Sequence, residues 1–328
     1  MGSVRDRSRG AFEGFVLGDC LGSLTDGMSA EEVVSTYGMI SEQLVLERAG
    51  DSSKHPPLLR SSKLHFLGSH LLTHGGIITA SLVQEALERD KEHVAVGESG
   101  FLTDYSRILI ESGTKRPEHS TTAMQSSAEA AVIAVAIGVA FSRPSQDRTL
   151  RAAITELNEL TGGTTQNWTG IALVVQTIRG TVNGFSVRDA IEEAIADVAQ
   201  MEPLGRYMPG ANVVARTLEG LDGAENLRPM ELSSYLTRTV GLSAAMNEAV
   251  PAAFVLADYY RNEPLRGICT AAQLGGASGI IASLTGAILG AGGAPFGIEG
   301  NGFSARGKLE GVVEIADALC DRAMSKRP

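Results

Sequence analysis

The chain of 328 residues has few cysteines, few aromatics and no long apolar run, and each shortage removes a class of protein. Its three cysteines, Cys20, Cys269 and Cys320, lie far apart and form no CxxC pair. That excludes a disulfide framework and a zinc-ribbon spacing, and a reducing, cytoplasmic setting is expected. Aromatics are 5% of the residues, which argues against a β-sandwich built on aromatic and β-branched strands. No stretch reaches the ~18 apolar residues a membrane span needs; residues 128–141 and 280–291 come nearest and read as buried core helices. The basic N-terminal segment is not followed by a signal-type apolar block. Positive charge is also short: the formal net charge is −10, which disfavours nucleic acid and anionic membranes as partners. A small-molecule partner fits better.

Strand patterning is missing as well. There is no sustained alternation and no Asn-Gly turn between apolar runs, since the pairs at 183–184 and 301–302 adjoin helices. What is present is 43% apolar residues and 38 glycines, with helical periodicity throughout. Helices are predicted over 10–23, 30–47, 66–89, 121–142, 147–159, 168–183 and 186–200. Further helices are predicted over 211–220, 231–246, 248–261, 264–273, 277–291 and 307–324. Loops are expected at 50–62, around Pro56 and Pro57, and at 113–120, 161–166, 202–210 and 292–305. Length alone allows about two domains, but no linker, repeat or low-complexity tract divides the chain. The expectation is one all-α domain of many helices.

Four places could carry chemistry. Gly14, Gly18 and Gly22 recur every four residues, so they share one helix face and let another backbone approach. Asp19 lies beside that stripe and Asp26 in the loop after it; either could act as a base or an electrostatic stabiliser, or merely cap and solvate. Gly275, Gly276 and Ser278 open a small-residue helix whose free amides could hold a phosphate, or simply pack closely. The Lys of a P-loop is absent. All six histidines fall within residues 55–119, and His70 and His74 share a helix face. They suit a metal pair, but no third ligand can be named, and hydrogen-bonded or surface roles fit as well. Trp168, the only tryptophan, follows a polar loop with Asn167; it could stack on a base or anchor the core. No G-x-S-x-G elbow or cysteine nucleophile is present.

Taken in order, these motifs resemble those of the ADP-ribosylglycohydrolase family, which includes dinitrogenase-reductase activating glycohydrolases and J1 crystallins. Gly14, Gly18, Asp19, Leu21 and Gly22 match the family's opening motif, and Asp26 stands at its loop Glu. Val250-Pro251-Ala252-Ala253, Leu274-Gly275-Gly276 and Gly286-Ala287-Ile288-Leu289-Gly290-Ala291 match its C-terminal motifs. Ala123-Met124 falls in its G-N-G-A-A-M-R segment, and Asn167-Trp168-Thr169-Gly170 is similar to its G-Y-N-G helix start. The resemblance implies the family's all-α fold over residues 1–328, with a core of about 9–323.

It also implies departures. The family holds two Mg²⁺ ions through T-D-D-T and D-x-D-T motifs. The corresponding positions are read here as His74-Gly75-Gly76-Ile77 and Ala277-Ser278-Gly279-Ile280, which lack the carboxylate oxygens Mg²⁺ requires. No metal or other cofactor is therefore expected. The Arg of A-M-R is Gln125, and the family's T-H pair is Thr161-Gly162. Two functions are implied. One is metal-independent cleavage of an N-ribosyl bond in an ADP-ribosyl or NAD-derived compound. Asp26, supported by Asp19, would stabilise the oxocarbenium ion, with His74 and His119 as acids or donors. Ser120, Thr121, Gln125, Asn167, Trp168, Gly275, Gly276 and Ser278 would bind the ribosyl nucleotide or nucleoside. The other is an inactive relative that binds an ADP-ribose-like ligand or a protein.

Overall fold

Among the described residues, five helices begin where the N-cap side chain accepts from an otherwise unpaired backbone amide. The computed structural model describes residues 2–41, 59–79, 81–82, 85, 127–293, 296 and 307–325. In chain order, α1 spans Val4–Thr25, α2 Ala30–Tyr37, α3 Leu59–Thr73, α4 Glu129–Ile133 and α5 Val135–Ala140. They are followed by α6 Asp147–Thr161, α7 Thr165–Val182, α8 Val187–Gln200, α9 Val213–Ala224 and α10 Pro229–Tyr235. The last are α11 Met246–Tyr259, α12 Pro264–Leu274, α13 Ser278–Ala291 and α14 Gly307–Ser325. Ser3 with Asp6 and Ser29 with Glu32 form capping boxes on α1 and α2. Thr164, Ser186 and Asn212 cap α7, α8 and α9. No strand ladder occurs among the described residues; Ser127 with Ala245 and Thr164 with Arg206 make isolated bridges. The fold is all-α.

Helix α13 is the centre. Every residue in it is buried, as expected of a helix apolar on all sides. Helix α1 runs antiparallel along it, with Gly10 facing Gly290, Gly14 facing Gly286, Gly18 facing Ala282 and Gly22 facing Ser278. A Cβ on any of these four α1 glycines would come within 3.0 Å of the facing carbonyl oxygen, a separation that real Cβ atoms do not adopt. The repeat of glycines is therefore a backbone-to-backbone seam. Helices α11 and α12 also pack on α13, and α14 lies on α1 and α3. Arg7 of α1 is buried and donates to the carbonyls of Thr181, Ala291 and Gly292 at 3.0–3.1 Å. It thereby satisfies acceptors at the C-terminal ends of α7 and α13.

Several boundaries differ from the sequence reading. The helix expected over 66–89 starts earlier, at Leu59, and stops at Thr73. Gly75 and Gly76 follow with φ of 63° and 85°, and two successive left-handed residues cannot continue a right-handed helix. Residues 59–62, expected in a loop, form the first turn of α3. The 30–47 helix ends at Tyr37 because Gly38 has φ 70°; residues 42–47 lie outside the described set. The 231–246 helix breaks into α10, a π turn at Leu236–Val240 and an extended stretch from Gly241, whose φ is 93°. Of the helix expected over 121–142, residues 121–126 lie outside the described set, and the remainder starts at Glu129 and divides at Ala134 into α4 and α5. Cys20, Cys269 and Cys320 are buried and none is in a disulfide. No helix among the described residues is long and apolar enough to cross a membrane.

Candidate functional site

The loop after α1 is clasped to the turn between α12 and α13. Gly27 N–H donates to the Gly276 carbonyl at 2.7 Å, and Gly276 N–H to Met28 O at 2.8 Å. Gly275 and Gly276 hold φ of 69° and 61°, and a side chain on Gly275 would strike the Met28 carbonyl. Beneath this clasp, Ser278 Oγ donates to Gly22 O at 2.9 Å, and Thr25 Oγ1 lies 2.7 Å from Ala272 O. The clasp delivers Asp26 to the positive end of α13, where its Oδ1 accepts from Gly279 N–H at 3.3 Å.

The expected phosphate cradle is therefore corrected. The amides of Gly276 and Ala277 already bond Met28 and Leu242 carbonyls, and Gly279 bonds Asp26. Gly275, Gly276 and Ser278 are structural: the glycines make the turn, and the Ser278 side chain faces the buried α1 backbone.

Asp19 is fully buried on α1. Its Oδ2 accepts from Ser61 N–H at 2.8 Å and Ser61 Oγ at 2.7 Å, and its Oδ1 from Ser23 Oγ at 3.0 Å. The carboxylate thus sits on the free amides at the start of α3. Burial pushes the Asp19 carboxyl above its ordinary pKa, against the pull of Arg60, Ser61 and Ser23.

The same first turn of α3 presents Arg60. Its Nη2 lies 2.8 Å from Asp26 Oδ2 and 3.2 Å from Glu129 Oε1, and its Nη1 lies 3.8 Å from Asp19 Oδ1. One turn on, Lys63 Nζ lies 3.2 Å from Glu129 Oε2. Three carboxylates thus face two cations. Burial works against the Arg60 charge, yet Glu129, Asp26 and Asp19 hold its pKa above the ordinary arginine value. Burial likewise opposes the Glu129 charge, and Lys63 and Arg60 overcome it, leaving that carboxyl below its usual range. Gly279 makes room for the arrangement: a Cβ there would collide with the Arg60 guanidinium.

Asp19 and Asp26, expected to act together, are brought together. His74 is not with them. It lies just beyond the other end of the 15-residue α3, roughly 20 Å from Arg60 at 1.5 Å per residue, so it is corrected as an acid for Asp26. Gly75 and Gly76, read as the positions of the T-D-D-T carboxylates, likewise terminate α3 at that far end. Trp168 is also corrected. It is fully buried, its Nε1 donates to Thr155 Oγ1 at 3.1 Å, and Arg151 lies 5.2 Å over its ring. No face is open for a base. Trp168→Phe should lower stability by about 2 kcal/mol through the lost hydrogen bond and volume, read as a lower denaturation midpoint.

Asn167 is buried beside it, and neither side-chain polar atom has a partner among the described residues. His119, Ser120, Thr121 and Gln125 lie outside the described residues. Sequence reasoning missed Arg60, Ser61, Lys63 and Glu129. The two serines after Arg60 were an available helix-start signal.

The family model described as ADP-ribosylglycohydrolase matches residues 1–298. No curated protein matches the chain. A solved structure described as "ADP-ribosylglycohydrolase-related protein complex" superposes with a TM-score of 0.64, covering 99% of this chain and 100% of that one. At 17% sequence identity, that likeness speaks to the fold. With the glycine seam, the clasped carboxylate and a match across most of its length, the chain belongs to the ADP-ribosylglycohydrolase family.

Proposed function

We propose that this chain is a non-hydrolytic member of the family, in which an internal guanidinium neutralises the acidic site that relatives fill with magnesium. The observation that carries the proposal is Arg60, wedged among Asp19, Asp26 and Glu129 in space left open by Gly279. By position, the helix start facing Asp26 and Gly279 is Leu59-Arg60-Ser61-Ser62, so this segment stands for the T-D-D-T motif in place of residues 74–77. At the motif's two carboxylate positions it offers a cation, Arg60, and a hydroxyl, Ser61. A binuclear Mg²⁺ site does not fit: Mg²⁺ needs oxygen ligands in octahedral geometry, and a fixed positive charge in the cluster repels a second one.

What remains is recognition. The Asn167 amide is buried without a partner among the described residues, and such a group carries a desolvation cost that a bound ligand can relieve. We assign it to contact a ribosyl nucleotide, which must displace the segments covering this fully buried side chain to reach it. A second reading, metal-independent cleavage, is favoured by one observation: the Asp26 side chain is the most exposed of the three carboxylates, at 32%. Accessible to water, it could stabilise an oxocarbenium ion.

One experiment separates these readings. The protein is incubated with ADP-ribosyl-arginine, NAD⁺ and nicotinamide mononucleotide, with Mg²⁺ or with EDTA, and products are read by mass spectrometry. The expected result is no product in either condition, with a thermal shift from one compound that is lost in Asn167→Ala. Ligand at a hundredfold excess over its Kd should add about 2.7 kcal/mol. Turnover in EDTA that disappears in Asp26→Asn would establish the second reading. Turnover that requires Mg²⁺ would overturn both.

A further inference from the structure

The far end of α3 carries a second cluster, independent of the proposal above. We propose that His70, His74 and Glu85 form a binding site for a transition-metal cation of the Zn²⁺ class.

The site is built by the chain reversal at Gly75 and Gly76. That turn folds Thr79 and Glu85 back over α3, so Glu85 Oε2 lies 3.2 Å from His70 Nδ1 and Glu85 Oε1 lies 3.9 Å from His74 Nε2. One ligand atom from each residue lies within 4.8 Å of the others. Bonds of 2.0–2.1 Å in tetrahedral geometry put ligand atoms about 3.3 Å apart, so closing on an ion needs only small side-chain rotations. The two imidazoles stack with centroids 4.0 Å apart and planes inclined by 27°, which turns them towards the same carboxylate.

Tautomers decide what the cluster can hold. His74 Nδ1 lies 3.1 Å from the His70 carbonyl, which can only accept, so Nδ1 carries the proton. In the neutral ring, Nε2 then carries a lone pair facing a carboxylate oxygen. Two lone pairs at that separation repel unless a cation stands between them. The backbone bond to His74 is also the outer-shell contact that fixes a metal-binding histidine. His70 Nε2 has two neighbours, accepting from Thr79 N–H at 3.3 Å and lying 3.4 Å from Thr79 Oγ1. Without metal, Nδ1–H faces Glu85. On binding, His70 changes tautomer: the proton leaves Nδ1 and one is taken up at Nε2, whose N–H then hydrogen-bonds Thr79 Oγ1 in place of accepting from Thr79 N–H. The His70 side chain is closed to solvent while those of His74 and Glu85 are partly open, so an ion has a way in and a coordination position left over. Two imidazoles and one carboxylate suit Zn²⁺ rather than Mg²⁺.

The test uses the full chain after chelator treatment. Zn²⁺ is titrated in competition with a chromophoric chelator, and Co²⁺ is added separately to read its visible absorption. The expected result is one tight equivalent of Zn²⁺, unaffected by excess Mg²⁺, with the intense d–d bands of low-coordinate Co²⁺. Both His74→Ala and Glu85→Gln should weaken Zn²⁺ binding at least tenfold while circular dichroism shows the helices intact. Failure to bind Zn²⁺, or binding unchanged in both variants, would overturn the site and leave a proton as the cation between His74 and Glu85.

Discussion

Gly18→Ala is expected to be among the most damaging single changes in this protein, although it adds one methyl group to a helix that alanine otherwise favours. The methyl would point at the Ala282 carbonyl, inside any permitted separation. Backbone cannot rotate aside as a side chain does, so α1 and α13 must part along their shared length. Overpacking of this kind costs about 3 kcal/mol or more, and for a chain of this size the melting temperature should fall by on the order of 10 °C. Gly14→Ala should behave alike, since the Gly286 carbonyl stands in the same relation to it. Gly311→Ala in α14 is the control: its one near neighbour is His65 Nε2 at 3.9 Å. There the ordinary helix preference should prevail, with a gain of about 0.5–1 kcal/mol. Equal effects from Gly18→Ala and Gly311→Ala would mean that the seam is looser than its geometry.

The second large effect is expected from Arg60→Ala. It leaves Asp19, Asp26 and Glu129 facing one another with only Lys63 to balance them. Breaking a buried ion cluster by removing one partner costs about 3–5 kcal/mol. Its pH dependence has a definite sign. In the wild type, the Glu129 carboxyl is held below its ordinary pKa. Its contribution is present above the unfolded carboxylate range and lost as pH falls through the lower, folded value. In Arg60→Ala the crowded carboxylates instead prefer their protons, so the variant should gain relative to wild type on acidification. The stability gap between the two should be widest near neutrality and narrow towards pH 4. Millimolar Mg²⁺ or Ca²⁺ should raise the melting temperature of Arg60→Ala and leave the wild type unmoved, because only in the variant do three carboxylates face Lys63 alone. An Arg60→Ala protein as stable as wild type at neutral pH would remove Arg60 from its proposed role. Lysine should rescue poorly, since a point charge cannot reach two or three carboxylates as a planar fork does.

Much of the fold is legible in the sequence because helical periodicity and glycine spacing are local signals. The seam between α1 and α13 follows from glycines at 14, 18 and 22 and the small residues at 282 and 286. Asp19 and Asp26 are legible for the same reason: one flanks the stripe and the other ends its helix. Arg60 is not. Pro56 and Pro57 make its surroundings read as loop, and an arginine there reads as a solvated surface residue. Its value comes from Asp26, Glu129 and Gly279, each remote in sequence. Glu85 fails in a related way. If α3 ran on to residue 89, Glu85 would stand roughly 16 Å along the helix from His74; only the two left-handed glycines return it. Trp168 misleads in the opposite sense, since a polar loop before a lone aromatic marks a ligand platform or a core anchor equally well.

The seam also bears on how the chain becomes folded. Helix α1 leaves the ribosome long before its partner surface on α13, which begins at Ser278. Until α13 is made, the glycine face of α1 has no surface close enough to cover it, and the central layer of the molecule does not exist. Early assembly must therefore rely on pairs of helices near in sequence, such as α7 with α8, with closure of α1 onto α13 as a late event of large loop entropy. Nascent chains stalled before residue 278 should remain sensitive to protease and engaged by chaperones, however much helix they already contain.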